Sequence, residues 1–377
     1  MHFDLNDEQR ALRTSAQRFL RERAPSERVR AWLATEDVLD PTIWQQITEE
    51  LGWVGIAIPE AAGGFGFSWL ELSLILEECG RRLLPAPLWT TTALGAGSIL
   101  ELGTPEQQAA LLPDVAAGTV IATLALTEAG GKWDTATIAT RFERQGDDFI
   151  LSGAKTYVPW AHAADLLMVV ARDDEGALGV FAIPRDTPGL RVERLATMDM
   201  TRPQGTVTLD GVRVSASARL SGADDTEAAL QRCLDRAAIL LSSELLGIAE
   251  AAMDYSVEYA KERVQFGKPI GSFQAIKHKC ANMLMMVEAC RSATWYAGWL
   301  ASQADDDLEE TALVTKSYAS DIAYRICADS IQILGGIGIT WEHDAHLYFK
   351  RARASAQLLG NTAQRRETLY QNILAED

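Results

Sequence analysis

Two segments in the C-terminal half of the chain combine residue types that suit the binding of a dinucleotide. In YAKERVQFGKPIGSFQ, residues 259–274, Arg263 can pair with a pyrophosphate through its planar guanidinium, and Phe266 can pack on an aromatic ring. In QILGGIGIT, residues 332–340, Gly335 and Gly336 lack side chains, so backbone N–H groups can approach a phosphate or an adenine. Singly, these could instead be a solvent-facing arginine, a core phenylalanine and a helix-ending glycine pair. Together the two segments predict a dinucleotide site.

One carboxylate, Glu244, interrupts an apolar helical run and could act as a general base. The run is ILLSSELLG, residues 239–247, and helical spacing places Glu244 on one face with Ala237, Leu240, Leu241 and Ile248. A glutamate on an apolar stripe is unfavourable unless it is paired or used in chemistry. Two hypotheses stay open: Glu244 is a catalytic base, or it is a structural glutamate bonded to a buried arginine or serine.

Charge and composition disfavour several classes of partner. The chain has 377 residues and a net charge of −17, from 52 acidic and 35 basic residues, whereas nucleic acids and anionic membranes need basic patches. Five scattered cysteines predict a reduced, cytoplasmic protein without a metal site. The polar N-terminus predicts no signal peptide, and we expect no membrane association because no apolar run approaches the ~20 residues of a span.

Three regions with different periodicity predict an α+β fold with three domains. Residues 1–120 are predicted to be helical, with a capping box of Asn6 and Gln9 at the start of the first helix. Residues 121–222 contain short β-branched runs between turn residues, which is typical of an antiparallel β domain, a barrel or a sandwich. Residues 223–377 return to a helical period in four long helices, which predicts a bundle.

This order of regions, with the two C-terminal segments at their spacing, resembles the acyl-CoA dehydrogenase family. Two weaker matches are LTE at residues 126–128 and LSGAKTYV at residues 151–158. The likeness covers essentially the whole chain. It implies an N-terminal helical domain, a middle antiparallel β-barrel, a C-terminal four-helix bundle, and FAD as the cofactor.

The resemblance also implies which residues contact FAD. Those at the isoalloxazine ring of the chain's own FAD would be Leu126, Thr127, Tyr157 and Val158. Thr362 and Gln364 would lie near the flavin and its diphosphate, and Gln274 is a further FAD-binding candidate. Those serving the FAD of a neighbouring subunit would be Arg263, Gln265, Phe266, Gln332, Gly335 and Gly336. The resemblance therefore implies a dimer of dimers.

The chain departs from the family at the catalytic carboxylate. Alignment on Thr362 and Gln364 puts Gly360 where many members carry the glutamate of a Tyr-Glu-Gly-Thr motif. Gly360 keeps an N–H for the substrate thioester but offers no base. Some relatives place the glutamate on the first long bundle helix, and that position maps to about Ala237. Glu244 is then the best substitute within this chain.

Two further departures concern the flavin and the substrate. The family's Trp-Ile-Thr becomes residues 157–159, where Pro159 has no hydroxyl and no N–H for the flavin. The family's Gly-Ser-Asp becomes residues 132–134, where Lys132 could replace a phosphate contact by its charge and Trp133 could fill the space. Asp235 matches a family aspartate near the pantetheine arm of the substrate; a solvated helix acid is the alternative.

Two functions remain as hypotheses. The first is FAD-dependent dehydrogenation of an acyl-CoA to a 2,3-enoyl-CoA, with electrons passed to an electron-transfer flavoprotein. The second is a non-catalytic or half-site subunit of an α2β2 enzyme whose related partner chain holds the glutamate. ILLSSELLG and LLGNTAQRRE are similar to bacterial members that act on bulky or sterol-derived acyl-CoAs. A nucleic-acid-associated flavoprotein is disfavoured by the charge, and a flavin oxidase or a nitro- or thioester-processing relative stays open.

Overall fold

The structure is a computed structural model that describes residues 4–303 and 307–376. Its contacts divide the chain into two units. We name as the helical unit the described residues of Met1–Ala31, Trp69–Leu84 and Ala238–Asp377, and as the sheet unit Trp32–Ser68 and Pro85–Ala237. The predicted α+β fold class is confirmed, with a helical N-terminal region, a curled β-sheet and a helical C-terminal region. The domain boundaries at residues 120 and 222 stay predictions.

More of the described residues lie in α-helices than in strands. The α-helices of the described residues are α1 (Asp7–Arg23), α2 (Ser26–Leu33), α3 (Pro41–Gln45), α4 (Trp69–Arg81), α5 (Gly97–Leu102), α6 (Pro105–Ala116), α7 (Thr226–Glu262), α8 (Gln274–Leu300), α9 (Leu308–Leu334), α10 (Ala345–Ser355) and α11 (Thr362–Glu376). The predicted capping box of Asn6 and Gln9 is present at α1, where each side chain accepts a hydrogen bond from the other residue's backbone N–H. Helix α10 was missed by the sequence prediction of four long helices.

In chain order, the strands follow the N-terminal helices and precede the C-terminal helices, except for a short hairpin after α7. They are β1 (Ala122–Ala125), β2 (Arg141–Gln145), β3 (Asp148–Pro159), β4 (Leu166–Arg172), β5 (Leu178–Pro184), β6 (Leu190–Arg194), β7 (Gln204–Ser215), β8 (Val264–Gln265) and β9 (Lys268–Pro269). The seven-stranded sheet has the order β1-β4-β2-β3-β7-β6, with β5 paired to β4. Most pairs are antiparallel, but β1 and β2 each pair with β4 in parallel.

The core of the sheet unit contains three phenylalanines in contact. Phe142, Phe149 and Phe181 meet edge to face, with ring centroids 5.0–5.7 Å apart. Such pairs are stabilising beyond the area that they bury. They hold β2, β3 and β5 against one another, and strand β3 carries the predicted flavin contacts toward its end.

In the helical unit, α4 and α7 cross in backbone contact. A Cβ atom on Gly247 would lie 1.8 Å from the carbonyl oxygen of Glu77, and one on Gly80 would lie 2.1 Å from that of Glu244. Only glycine permits this approach. The crossing fixes the position of Glu244 beside α4.

Charged side chains inside the helical unit are paired. The wholly buried Glu77 carboxylate accepts hydrogen bonds from Arg13 and Arg291, both at 2.6 Å, and from the Trp295 indole N–H at 3.0 Å. Arg291 also pairs with Glu250. The network joins α1, α4, α7 and α8, and losing one partner would destabilise the charges that remain.

One segment, Leu308–Ile339, is long and apolar enough to cross a membrane, although we expected no apolar run of that length. Within the helical unit it contacts α8, α10 and α11. It also buries polar side chains, among them Lys316, Ser317 and Ser320. These are properties of the core helix of a helical bundle.

Candidate functional site

The predicted flavin contacts of the sheet unit lie where β1 ends and β3 bends. The Thr156 N–H donates to the Thr127 carbonyl at 2.8 Å, and the Thr127 hydroxyl donates back to the Thr156 carbonyl. Leu126, Thr127 and Val158 are buried, whereas Tyr157 is 43% exposed. The structure therefore brings these four predicted contacts together and presents the Tyr157 ring at the surface.

Tyr157 owes this orientation to an irregularity in the sheet. The register between β3 and β7 shifts between Lys155 and Val158, and Tyr157 has a φ of 56°. A bulge of this kind bends a strand and redirects a side chain, and a non-glycine residue in this region is strained. Strained positions cluster at binding sites.

An ion pair between a buried lysine and a half-buried glutamate links this segment of β3 to the residues that follow β1. The Lys155 ammonium, which is wholly buried, donates to the Leu126 carbonyl at 3.1 Å and to Glu128 Oε1 at 2.8 Å. Glu128 also accepts from the backbone N–H groups of Ala139 and Thr140 and from the Thr140 hydroxyl. Burial opposes ionisation of Glu128, but these hydrogen bonds outweigh it and lower its pKa to about 2. Burial lowers the pKa of Lys155 to about 8.

The sequence analysis identified the segments LTE (residues 126–128) and LSGAKTYV (residues 151–158), but it did not predict the ion pair of Glu128 with Lys155. A signal was present, because period-2 alternation places Lys155 on the inward face of β3 with Phe149 and Leu151. A lysine on an inward face requires a partner.

The predicted substrate residue Lys132 borders a cavity of about 300 Å³ in the sheet unit. Leu126 and Glu128 also line it. The Lys132 side chain is exposed and Trp133 is half-buried, so the lysine is accessible to an anionic ligand. Asp134 instead caps a short turn by accepting from the Ala136 N–H at 2.9 Å.

Asp235 is buried, so its interpretation as a solvated helix acid is wrong. Its Oδ1 accepts a hydrogen bond from the Gln231 amide at 3.0 Å. Nearby on α7, the Ala237 carbonyl accepts from the Trp89 indole N–H at 3.0 Å, and the buried Arg202 guanidinium lies 4.8 Å from the Trp89 ring. The sequence did not predict the Trp89–Arg202 contact.

In the helical unit, the predicted contacts after α7 project into solvent. Phe266 is 91% exposed at the tip of the β8–β9 hairpin and has a φ of 51°. Arg263, Gln265 and Gln274 are also exposed. The alternative interpretation of Phe266 as a core residue is wrong.

The glycine pair after α9 is also open. Gly335 has a φ of 68°, and a Cβ atom on Gly335 or Gly336 would meet nothing within 4 Å. Gln332 is exposed. The Gly335 N–H donates to the Ile331 carbonyl at the end of α9, whereas no side chain blocks an approach to the backbone at Gly336. The accessible backbone at Gly336 and the exposed Phe266 ring each suit a contact to a dinucleotide, so the residues present fit FAD.

The usual position of the base lies in a short loop between α10 and α11. Gly360 has a φ of 89° and Leu359 a φ of 60°. Asn361 and Gln364 form a reciprocal capping box at α11, with both bonds at 3.0 Å. Thr362 donates to Asp321 Oδ1 at 2.9 Å. Gln364 therefore has a structural role in addition to its predicted one.

Glu244 is bonded to a buried arginine. The Arg351 Nε atom donates to Glu244 Oε1 at 2.8 Å, and each side chain is only 4% exposed. This is the arrangement that the structural hypothesis for Glu244 describes. Burial, and then the charge of Glu244, raise the pKa of the neighbouring Cys79 thiol.

In the part of the chain that the structure describes, no group of three or more His, Cys, Asp or Glu side chains could hold a metal ion.

Three domain models of one family match the chain. They are the N-terminal, middle and C-terminal domains of acyl-CoA dehydrogenase, which match residues 6–119, 123–212 and 227–374. Among curated proteins, acyl-CoA dehydrogenase IpdE2 of Mycolicibacterium smegmatis is 32% identical over 94% of this chain and 96% of its own length.

Solved structures share the fold over the whole chain. A variant of the Tcur3481–Tcur3483 steroid ACAD is 34% identical with a TM-score of 0.88, and the match covers 98% of both chains. A chain of the ChsE4–ChsE5 complex from Mycobacterium tuberculosis is 27% identical with a TM-score of 0.90, and the match covers 100% of both chains.

Proposed function

The chain belongs to the acyl-CoA dehydrogenase family, and we propose that it serves FAD-dependent α,β-dehydrogenation as a subunit without a catalytic base. The reaction of the assembled enzyme converts an acyl-CoA thioester to a 2,3-enoyl-CoA, and an electron-transfer flavoprotein accepts the electrons. A related partner chain supplies the glutamate in an α2β2 assembly.

The observation that carries this proposal is the ion pair between Glu244 and Arg351. Gly360 and Ala237, at the two family positions for the base, have no carboxylate. Glu244 is the substitute within this chain, but a base must accept a proton. Protonation of Glu244 would remove the negative charge that faces the buried Arg351 guanidinium at 2.8 Å, so this environment favours the charged form of Glu244. Glu244 therefore suits a structural role better than a catalytic one.

The similarity to a chain of the ChsE4–ChsE5 complex, which contains two different subunits, supports the heteromeric assembly. The similarity to a steroid ACAD supports a bulky, sterol-derived acyl group as the substrate class. A cytoplasmic location stays a prediction.

In this proposal the chain's own residues bind and orient FAD and the acyl-CoA. Arg263 would hold the pyrophosphate of FAD by its charge, and Phe266 and the backbone at Gly336 would contact its adenine side. Lys132 attracts the phosphates of the acyl-CoA, and the Gly360 N–H is available to a thioester carbonyl. FAD, when bound, supplies the two-electron oxidation by accepting a hydride from the β carbon. The α proton passes to the partner's carboxylate.

The experiment is reconstitution with a related acyl-CoA dehydrogenase chain that carries a glutamate at its base position. We expect turnover only in the co-expressed assembly, and we expect it to disappear when that glutamate becomes glutamine. Full turnover by this chain alone would contradict the proposal.

A second candidate is a self-sufficient dehydrogenase, a homotetramer, in which Glu244 is the base. It is favoured by the position of Glu244 on α7, two turns along the face that carries Ala237. Glu244→Gln separates the two. Under the first proposal the assembled enzyme keeps its turnover per folded molecule; under the second, turnover is lost while FAD stays bound.

A further inference from the structure

The loop between α10 and α11, residues 356–361, is held in its conformation by an arginine. Arg365 lies in the first turns of α11 and is only 6% exposed. Its Nε atom donates to the Leu359 carbonyl at 2.8 Å, and its Nη1 atom donates to the Ala312 carbonyl at 3.4 Å. The guanidinium thus ties the loop to α9.

Arg365 also lies beside the place that a side chain at position 360 would occupy. A Cβ atom on Gly360 would lie 3.7 Å from Arg365 Cγ and 3.8 Å from Arg365 Nε. The Gln364 Oε1 atom would be 4.0 Å away. A longer side chain at this position would therefore begin alongside the guanidinium.

We propose that Arg365 is a positioning residue that adapts this loop to a residue without a carboxylate, so that a glutamate restored at 360 is captured in an ion pair. This inference rests on the proposed function, because it concerns the position at which this subunit lacks its carboxylate. A carboxylate beside a buried guanidinium is held in its charged form. A base needs the opposite environment, one that favours proton uptake.

The backbone conformation of the loop also disfavours a side chain at position 360. Leu359 and Gly360 both have positive φ, and a non-glycine residue at 360 would be strained. Glutamate and glutamine would carry the same strain, so a comparison between them isolates the effect of charge.

The test is a double-mutant cycle on the full chain, read by thermal unfolding. Gly360→Glu and Gly360→Gln are each made with Arg365 intact and with Arg365→Gln, which keeps a hydrogen-bond donor without the charge. With Arg365 intact, we expect Gly360→Glu to melt at least about 2 °C above Gly360→Gln at neutral pH. With Arg365→Gln, we expect the difference to vanish. Equal melting temperatures with Arg365 intact, or a difference that survives Arg365→Gln, would overturn the ion pair.

A second measurement serves if Arg365→Gln does not fold. An ion pair lowers the pKa of the introduced carboxylate, so its stabilisation is present above the ordinary pKa and is lost as the pH falls below about 4. The difference between Gly360→Glu and Gly360→Gln should therefore disappear in acid. A difference that is unchanged in acid would overturn the proposal.

The catalytic consequence is tested by adding acyl-CoAs anaerobically to Gly360→Glu. We expect no bleaching of the flavin, and bleaching by this variant would overturn the proposal. The wild-type chain is the control for the proposed function. Bleaching by wild type would contradict the base-free subunit while leaving the stability cycle to decide on Arg365.

Discussion

The side chains of Glu244 and Arg351 form a buried ion pair, in which Arg351 Nε lies 2.8 Å from Glu244 Oε1. The pair joins α7 to α10, the helix that precedes the loop with Gly360. The one carboxylate in the apolar run of α7 is thereby committed to packing the helical unit, and this is why we assign the base to a partner chain.

The first prediction concerns this pair. Arg351→Met leaves the Glu244 charge buried without this partner and should lower the free energy of unfolding by about 3–5 kcal/mol. The double variant Glu244→Leu with Arg351→Met should recover most of that loss, because both charges are gone. Chemical denaturation measures both. The control is Arg366→Met on the surface of α11, which should change stability by less than about 1 kcal/mol. An Arg351→Met variant as stable as this control would show that the pair is not structural.

The second prediction concerns the crossing of α4 and α7. Gly247→Ala places a Cβ atom 1.8 Å from the Glu77 carbonyl oxygen, so the helices must separate. We expect a loss of more than about 3 kcal/mol, despite alanine's better helix propensity. Gly336→Ala, with nothing within 4 Å, is the control for folding and should stay within about 0.5 kcal/mol. Equal stability of the two variants would refute the close crossing.

The third prediction is a pH dependence that arises at Glu128. Its pKa is lowered from 4.5 to about 2 in the folded chain, so its stabilisation is present above 4.5 and is lost as the pH falls toward 2. Glu128→Gln should be less stable than wild type by about 2–3 kcal/mol at neutral pH, because Lys155 stays buried. The gap should narrow in acid.

The exposed Glu143 on β2 provides the matched control for that experiment. Glu143→Gln should change the free energy of unfolding by less than about 0.5 kcal/mol. A constant gap between Glu128→Gln and wild type from neutral to acidic pH would contradict the assignment of the charge to the Lys155 pair.

The fourth prediction concerns the exposed surface that we assign to FAD. Arg263→Gln should weaken FAD binding in the assembled enzyme by about tenfold or more, since a charged hydrogen bond to the pyrophosphate is lost. Phe266→Ala should also release FAD. Both side chains are exposed, so the unfolding midpoint of the flavin-free chain should not move. Arg18→Gln on α1 is the matched exposed control. FAD retention equal to that of Arg18→Gln would remove Arg263 from the site.

Much of the architecture follows from local patterns in the sequence. The 3.6-residue period predicts α7 and the face that carries Glu244, and the Asn6–Gln9 spacing predicts the cap of α1. Motif context predicts the fold class, because the order of helices, sheet and bundle is a property of the whole chain. Each of these features can be predicted either from a short stretch of sequence or from the order of such stretches along the chain.

The rest depends on contacts between distant parts of the chain. Periodicity shows that Glu244 faces the core, but it cannot show that the partner is Arg351, 107 residues away. The same limit hid the burial of Asp235 and the contact of Arg365 with Ala312, 53 residues away. The bulge that turns Tyr157 outward arises from a register shift against β7, which is a property of two strands and not of one.

The most direct test of the base-free subunit is to purify the chain alone, load it with FAD, and add a panel of acyl-CoAs without oxygen. The account predicts that none of them bleaches the flavin band at roughly 450 nm. It predicts bleaching once a related chain with the glutamate is present. Bleaching of the chain alone by any acyl-CoA, and its loss in Glu244→Gln, would contradict the account and make Glu244 the catalytic base.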